Sequence, residues 1–293
     1  MKKIILLLLF ILPIYTFGEN NCKMDFQLRE GLILVEAAVD GRSGIFILDT
    51  GAPCLVLNNK YFKGRKSDLQ LLSASESIET RERKVKSFLW GCIEKNNFDA
   101  ISINLTHLER ALDTQIFGLI GYDMLRKNEI LIDNAAQQIE QYPHRKSLLH
   151  EEEEASLVIP FSLSGHLPIM SAEIENVVLH LAFDSAAESN MLDFVYKEEL
   201  SEELDPKLII FRGADQKDIL VTAVNISSTY IMDETFEDME YLFKDVQKIR
   251  DIGHSKFDGL LGHPFITACG RVSINYRKKE IYVWGKPGSW VNN

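Results

Sequence analysis

The sequence predicts an all-β protein whose fold is built twice along one chain, for three reasons. Apolar stretches are short, alternate with polar residues and stop at turn formers, while long helical periods are few. An aspartate loop at the end of an apolar strand occurs twice, at Asp49 and Asp184, 135 residues apart. A glycine-bounded apolar segment follows each, Gly118-Leu119-Ile120-Gly121 and Gly259-Leu260-Leu261-Gly262, 141 residues apart. Two landmarks recurring in order at nearly equal spacing mark a duplication.

Taken from the N-terminus, Lys2 and Lys3, the apolar residues 4–15 and Thr16-Phe17-Gly18 predict an export signal over residues 1–18. The apolar run is shorter than the roughly 20 residues that a spanning helix needs, so cleavage is expected rather than a retained anchor. Asn20-Asn21 ahead of Cys22 do not suit lipid attachment. The mature chain is then expected to be secreted or periplasmic, without an integral membrane span.

The first lobe is expected over residues 19–142. Leu32 to Val39 alternates, Asp40-Gly41 turns, and Ile45-Phe46-Ile47-Leu48 runs into Asp49-Thr50-Gly51-Ala52. A hairpin is expected over residues 78–89, turning at Arg81-Glu82-Arg83. After Gly121 come a short helical piece and the paired strands Glu129 to Asp133 and Gln138 to Tyr142. Residues 143–158 read as an acidic linker, with Glu151 to Glu154 a solvated charge run rather than a metal site beside His150.

The second lobe, residues 159–293, repeats the order. Leu167 to Ile174 is strand-like, Glu175-Asn176 turns, and Val177 to Phe183 leads into Asp184-Ser185-Ala186-Ala187. Residues 193–204 are the clearest helical candidate. A second hairpin is expected over residues 208–224 around Gly213-Ala214-Asp215, and the strands Arg271 to Asn275 and Glu280 to Trp284 close the chain.

Composition removes several function classes. The formal charge of −11 lacks the basic face a nucleic-acid binder needs. A charged fraction of 26% with 10% aromatic residues argues against disorder. The seven histidines (107, 144, 150, 166, 180, 254, 263) show no i, i+4 helical pair and no H-E-x-x-H, so no zinc hydrolase is indicated. Ser185 lies in no G-x-S-x-G. Gly118, Gly121, Gly259 and Gly262 read as structural turns, because no loop-to-helix phosphate cradle accompanies them. Trp90, Trp284 and Trp290 read as packing residues. The four cysteines have no C-x-x-C spacing. Export permits disulfides, and Cys54 and Cys92, in one half, are candidates to pair. With Cys22 and Cys269 the connectivity stays open, and an unpaired thiol fits as well as two bridges. Asn104 and Asn225 begin glycosylation-type tripeptides, meaningful only in a eukaryotic secretory pathway.

The repeated aspartate carries the chemistry. A strand delivers each carboxylate to a partly buried spot, the following hydroxyl and backbone N–H groups hydrogen-bond it, and a small residue permits close backbone approach. Two such carboxylates face to face cannot both ionise cheaply and share a proton. One then activates water as a general base while the protonated partner polarises a carbonyl.

These residues resemble the retropepsin-like aspartic peptidase family. Ile47-Leu48-Asp49-Thr50-Gly51-Ala52 with Gly118-Leu119-Ile120-Gly121 carries the likeness in one half. Ala182-Phe183-Asp184-Ser185-Ala186-Ala187 with Gly259-Leu260-Leu261-Gly262 carries it in the other. The likeness covers nearly all of the mature chain and is similar to bacterial exported proteins in which two such lobes are fused. It implies two closed β-barrel lobes with an active-site cleft between them, a hairpin flap over the cleft, and the apolar-glycine segments packed beside the catalytic loops. It implies Asp49 and Asp184 as the catalytic dyad, Thr50 and Ser185 as supporting hydroxyls, and Gly51 and Ala186 as the small residues. The alanine after each motif goes, in the family, with a less acidic working pH than pepsin's. A monomeric endopeptidase acting on a peptide or protein substrate, with no cofactor and no metal, follows. Three positions depart from the pattern: Ala186 stands where the family expects glycine, Pro53 where it has a small or hydroxyl residue, and Glu188 adds a carboxylate. The alternative they motivate is a peptide-binding or structural protein that kept the fold and lost the reaction.

Overall fold

The computed structural model describes residues 22–72, 77–143, 149–201, 206–212, 218–246 and 257–285. The expected signal at residues 1–18, Trp290 and the turn Gly213-Ala214-Asp215 lie outside them. The chain is mostly β. In the first half the strands are β1 (Cys22–Asp25), β2 (Gln27–Arg29), β3 (Leu32–Val39), β4 (Arg42–Leu48), β5 (Val56–Asn58), β6 (Arg65–Leu72), β7 (Ser77–Trp90), β8 (Ile93–Ile103), β9 (Ile116–Ile120), β10 (Asn128–Asp133) and β11 (Gln138–Pro143). In the second they are β12 (Leu157–Pro160), β13 (Ser162–Ser164), β14 (Leu167–Ile174), β15 (Val177–Phe183), β16 (Asn190–Asp193), β17 (Lys207–Arg212), β18 (Asp218–Ile231), β19 (Glu234–Lys244), β20 (Gly259–Leu261), β21 (Arg271–Asn275) and β22 (Glu280–Val283).

One eight-stranded sheet runs β2-β3-β4-β9-β5-β8-β7-β6, and a second runs β13-β14-β15-β20-β16-β19-β18-β17. The second order is the first with every label advanced by eleven. Each sheet also returns on itself, through β3–β7 and β14–β18. The aspartate-bearing strands β4 and β15 pair in parallel with β9 and β20, the strands of the apolar-glycine segments.

The local reasons for these elements are visible in the turns. Asp40 and Gly41 have φ of 51° and 77°, and Glu175 and Asn176 have 48° and 63°. Two successive left-handed residues give the tight hairpin that matches strand twist, hence the short polar pairs between β3 and β4 and between β14 and β15. Asp193 accepts a hydrogen bond from Val195 N at 3.1 Å, starting a single 3-10 turn (Phe194–Tyr196) and a short helix (Lys197–Ser201). The helical stretch expected over residues 193–204 is described as far as Ser201.

One expected hairpin is corrected. Arg81-Glu82-Arg83 is not a turn but part of β7, which pairs with β8 from Arg81 to Trp90. From Arg81 to Ser87 the run alternates, with Arg81, Arg83 and Ser87 half-buried and Val85 buried on one face and Glu82, Lys84 and Lys86 exposed on the other, and no residue there has positive φ. The chain reverses instead at Gly91, φ 55°. In the second half β17 and β18 do pair as the expected hairpin.

A third sheet joins the halves in the order β1-β11-β10-β21-β22-β12. Each half supplies three strands, and β10 meets β21 antiparallel, Glu129 opposite Asn275 and Asp133 opposite Arg271. Its residues Ile130, Ile132, Val272, Ile274 and Ile281 belong to one continuous apolar cluster with Ile33, Phe46, Phe183 and Phe265. Trp90 and Trp284 are fully buried. Buried Glu129 accepts from Ser273 Oγ at 2.7 Å and Asn275 Nδ2 at 2.9 Å, and lies 2.9 Å from His150 Nε2.

Between the halves, Leu149–Glu152 forms a helical turn with Leu149 buried and Glu151 and Glu152 exposed. Glu153 pairs with Arg271 at 2.8 Å.

Cys22 and Cys92 form a disulfide, while Cys54 and Cys269 are free. The Cys54–Cys92 pairing is thereby corrected. The β7–β8 turn carries Cys92 to the edge of the joining sheet, where its N–H donates to Gln141 Oε1 at 2.8 Å and Gln141 lies opposite Cys22. No helix among the described residues is long and apolar enough to cross a membrane.

Candidate active site

Each aspartate leaves its strand with the same backbone anchorage. Asp49 N donates to Ile120 O at 3.1 Å, and Asp184 N to Leu261 O at 3.0 Å. Tyr122 N returns to Ala52 O at 2.9 Å, and His263 N to Ala187 O at 2.8 Å. Close approach explains the glycines here: a Cβ on Gly121 would stand 2.3 Å from Cys54 O, and one on Gly262 2.4 Å from Ala187 O. The apolar-glycine segments therefore brace the two aspartate loops from behind.

The loops meet through a reciprocal set of buried hydrogen bonds. Thr50 N donates to Ser185 Oγ at 3.0 Å, and Ser185 N to Thr50 Oγ1 at 2.8 Å. Each hydroxyl then donates across to the opposite strand, Thr50 Oγ1 to Phe183 O at 3.3 Å and Ser185 Oγ to Leu48 O at 2.9 Å. Both residues are nearly inaccessible, so every polar atom involved needs its partner.

This clasp brings the carboxylates together. Ala52 N donates to Asp49 Oδ1 at 2.8 Å and Ala186 N to Asp184 Oδ1 at 2.9 Å. The nearby Gly51 N–H favours the ionised form of both carboxylates. A Cβ on Gly51 would stand 2.5 Å from Asp184 Oδ2, which is why this position tolerates no side chain. Both aspartates are crowded by protein yet keep a solvent-facing edge. Burial pushes the Asp49 carboxyl well above the usual range, and the Asp184 charge pushes it further. Burial raises Asp184 as well, opposed by the Ala186 and Gly51 N–H groups and by His166. The two titrate as a pair.

The departures from the family pattern sit quietly. Ala186 is absent from the left-handed region, so its Cβ carries no backbone penalty, and it packs beside the apolar cluster of Leu34, Ile47 and Ala52. Glu188 faces Glu30 and Lys244, and its backbone lies against Gly31. Burial and nearby Asp123 push the Cys54 thiol up to about 12, which removes it as a nucleophile at neutral pH.

Two residues without a sequence motif join the site. His166 Nε2 lies 2.6 Å from Gly51 O. Tyr276, fully buried, has its ionisation opposed by burial and by the Asp184 and Asp49 charges, and its hydroxyl has no hydrogen-bond partner among the described residues. Only His166's place in the repeat, 135 residues after Gly31, set it apart from the other histidines. Among the described residues no group of three or more His, Cys, Asp or Glu is arranged to hold a metal ion.

No protein-family model matches this chain, and no curated protein matches it.

Proposed function

We propose that the protein is an exported aspartic endopeptidase of retropepsin-like architecture, with two barrel lobes and Asp49 and Asp184 as its catalytic pair. The observation that carries this reading is the Thr50–Ser185 clasp, which holds together two half-buried carboxylates of raised pKa. In the proposed reaction the ionised carboxylate takes a proton from water as the water oxygen attacks the scissile carbonyl carbon. The protonated partner hydrogen-bonds the developing oxyanion. Collapse of the tetrahedral intermediate breaks the C–N bond, and a carboxyl proton passes to the leaving amine. The peptide would lie across the groove between the lobes, under the β6–β7 or β17–β18 hairpin as a flap. The chain would act as a monomer without cofactor or metal.

The Cys22–Cys92 bridge supports an oxidising compartment, secreted or periplasmic. The benign settings of Ala186 and Glu188 favour this reading over a peptide-binding protein without the reaction. The test uses purified mature protein on a mixed peptide library. Asp49→Asn and Asp184→Asn are each expected to lower cleavage by about 10²-fold or more. Cleavage at wild-type rate in either variant overturns the reading.

A further inference from the structure

The β13–β14 turn lays His166 of the second half over the aspartate loop of the first. Its partner, Gly51 O, is a carbonyl and can only accept, so Nε2 carries the hydrogen. The same peptide unit, Gly51–Ala52, presents its N–H at the opposite end, where it donates to Asp49 Oδ1 at 2.8 Å. A single rigid amide thus connects imidazole to carboxylate. Donation to the carbonyl oxygen draws electron density from the amide nitrogen and strengthens the N–H as a donor, the cooperative effect of a hydrogen-bond chain.

His166 also favours charge on Asp184 directly. The titratable groups facing the imidazole are Asp184, Asp49 through the shared peptide, and Tyr122 with its ring 6.5 Å away; Tyr276 lies 5.0 Å beyond Tyr122. The arrangement is one-sided. The residue in the matching turn of the first half is Gly31, which has no side chain and rests against the Glu188 backbone.

We infer that His166 is a positioning residue of the aspartate pair: through the Gly51–Ala52 peptide it aims and strengthens the N–H on Asp49, favouring the singly ionised pair over the doubly protonated one. The inference rests on the reading of Asp49 and Asp184 as a proton-sharing pair, and it specifies how that pair is tuned. His166→Leu removes the donor, and His166→Gln retains an N–H. Carboxyl titration by carbon NMR on aspartate-labelled protein is expected to show the first ionisation of the pair moved upward by about half a pH unit or more in His166→Leu, and by less in His166→Gln. The acid limb of kcat/KM is expected to move with it, with KM little changed.

A folded His166→Leu protein whose pair titrates as in wild type overturns the inference. Nitrogen NMR of the wild-type imidazole gives a test free of any folding defect: a proton on Nε2 supports the chain, and a neutral ring protonated only on Nδ1 overturns it. The two readings fail separately. Cleavage that survives Asp49→Asn removes the peptidase, whereas Asp49-dependent cleavage with an unmoved titration in His166→Leu removes only the role of His166.

Discussion

Thr50 and Ser185 each complete the other's hydrogen bonds, and neither hydroxyl touches bulk water. Thr50→Val keeps the shape but strands Ser185 N and Phe183 O, both buried. The expected loss is about 1–3 kcal/mol, read from urea unfolding, because an orphaned buried polar group costs its full desolvation. The aspartates pull the other way. Their folded pKa values lie above the unfolded ones, so their contribution to stability is complete below the unfolded carboxyl value, about 3.9, and is lost as pH rises toward the folded values. Asp49→Asn is therefore expected to be more stable than wild type at pH 7, by roughly 1–3 kcal/mol, with the difference shrinking as the pH falls toward 4. Thermal unfolding of both proteins across that range checks it. An unchanged difference would mean that folding does not raise the Asp49 carboxyl.

At the scale of elements, the parts that sequence made legible were those with strong local rules. Leu32 to Val39 and Leu167 to Ile174 are largely apolar runs that end at Asp40-Gly41 and Glu175-Asn176, so their limits could be read directly. The aspartate loops and glycine segments were legible because each occurs twice. The β7 strand was not, because Arg81, Glu82 and Arg83 look like a polar turn; what keeps them extended is long-range, in pairing with β8 and the Arg83–Asp40 ion pair at 2.8 Å. Beyond its place in the repeat, His166 carries no motif, since its partner is a backbone carbonyl 115 residues away in sequence. The cysteine partner was hidden for the same reason: Cys22 meets Cys92 only because β1 joins a sheet completed by β11. That bridge closes a separation of 70 residues. A Cys22→Ser/Cys92→Ser protein is expected to lose roughly 4 kcal/mol by the loop-entropy relation. Urea unfolding of the oxidised and variant proteins compares them, and equal midpoints would place the stabilisation elsewhere.

At the scale of the molecule, two sheets of identical order are tied by three features: the clasp at the aspartate loops, the shared apolar cluster and the six-stranded joining sheet. The β10–β21 pair, with Leu131 opposite Ser273, lies at the middle of that sheet. The two aspartates owe their proximity to it as much as to their own loops, because strands locked in register leave the halves little freedom to turn. The Glu129 cluster adds to this constraint, since its acceptors draw on Ser273 and Asn275 from the other half.

The antiparallel meeting of β10 and β21 has a further meaning for the chain's integrity. Cut free of its sister, either half would carry a bare inner strand, with Ile130 and Ile132 or Val272 and Ile274 uncovered beside open backbone N–H and C=O groups. Such an edge invites a copy of itself. Fusion within one polypeptide supplies that neighbour permanently and at no dependence on concentration, leaving the two halves free to diverge, as His166 and Gly31 have.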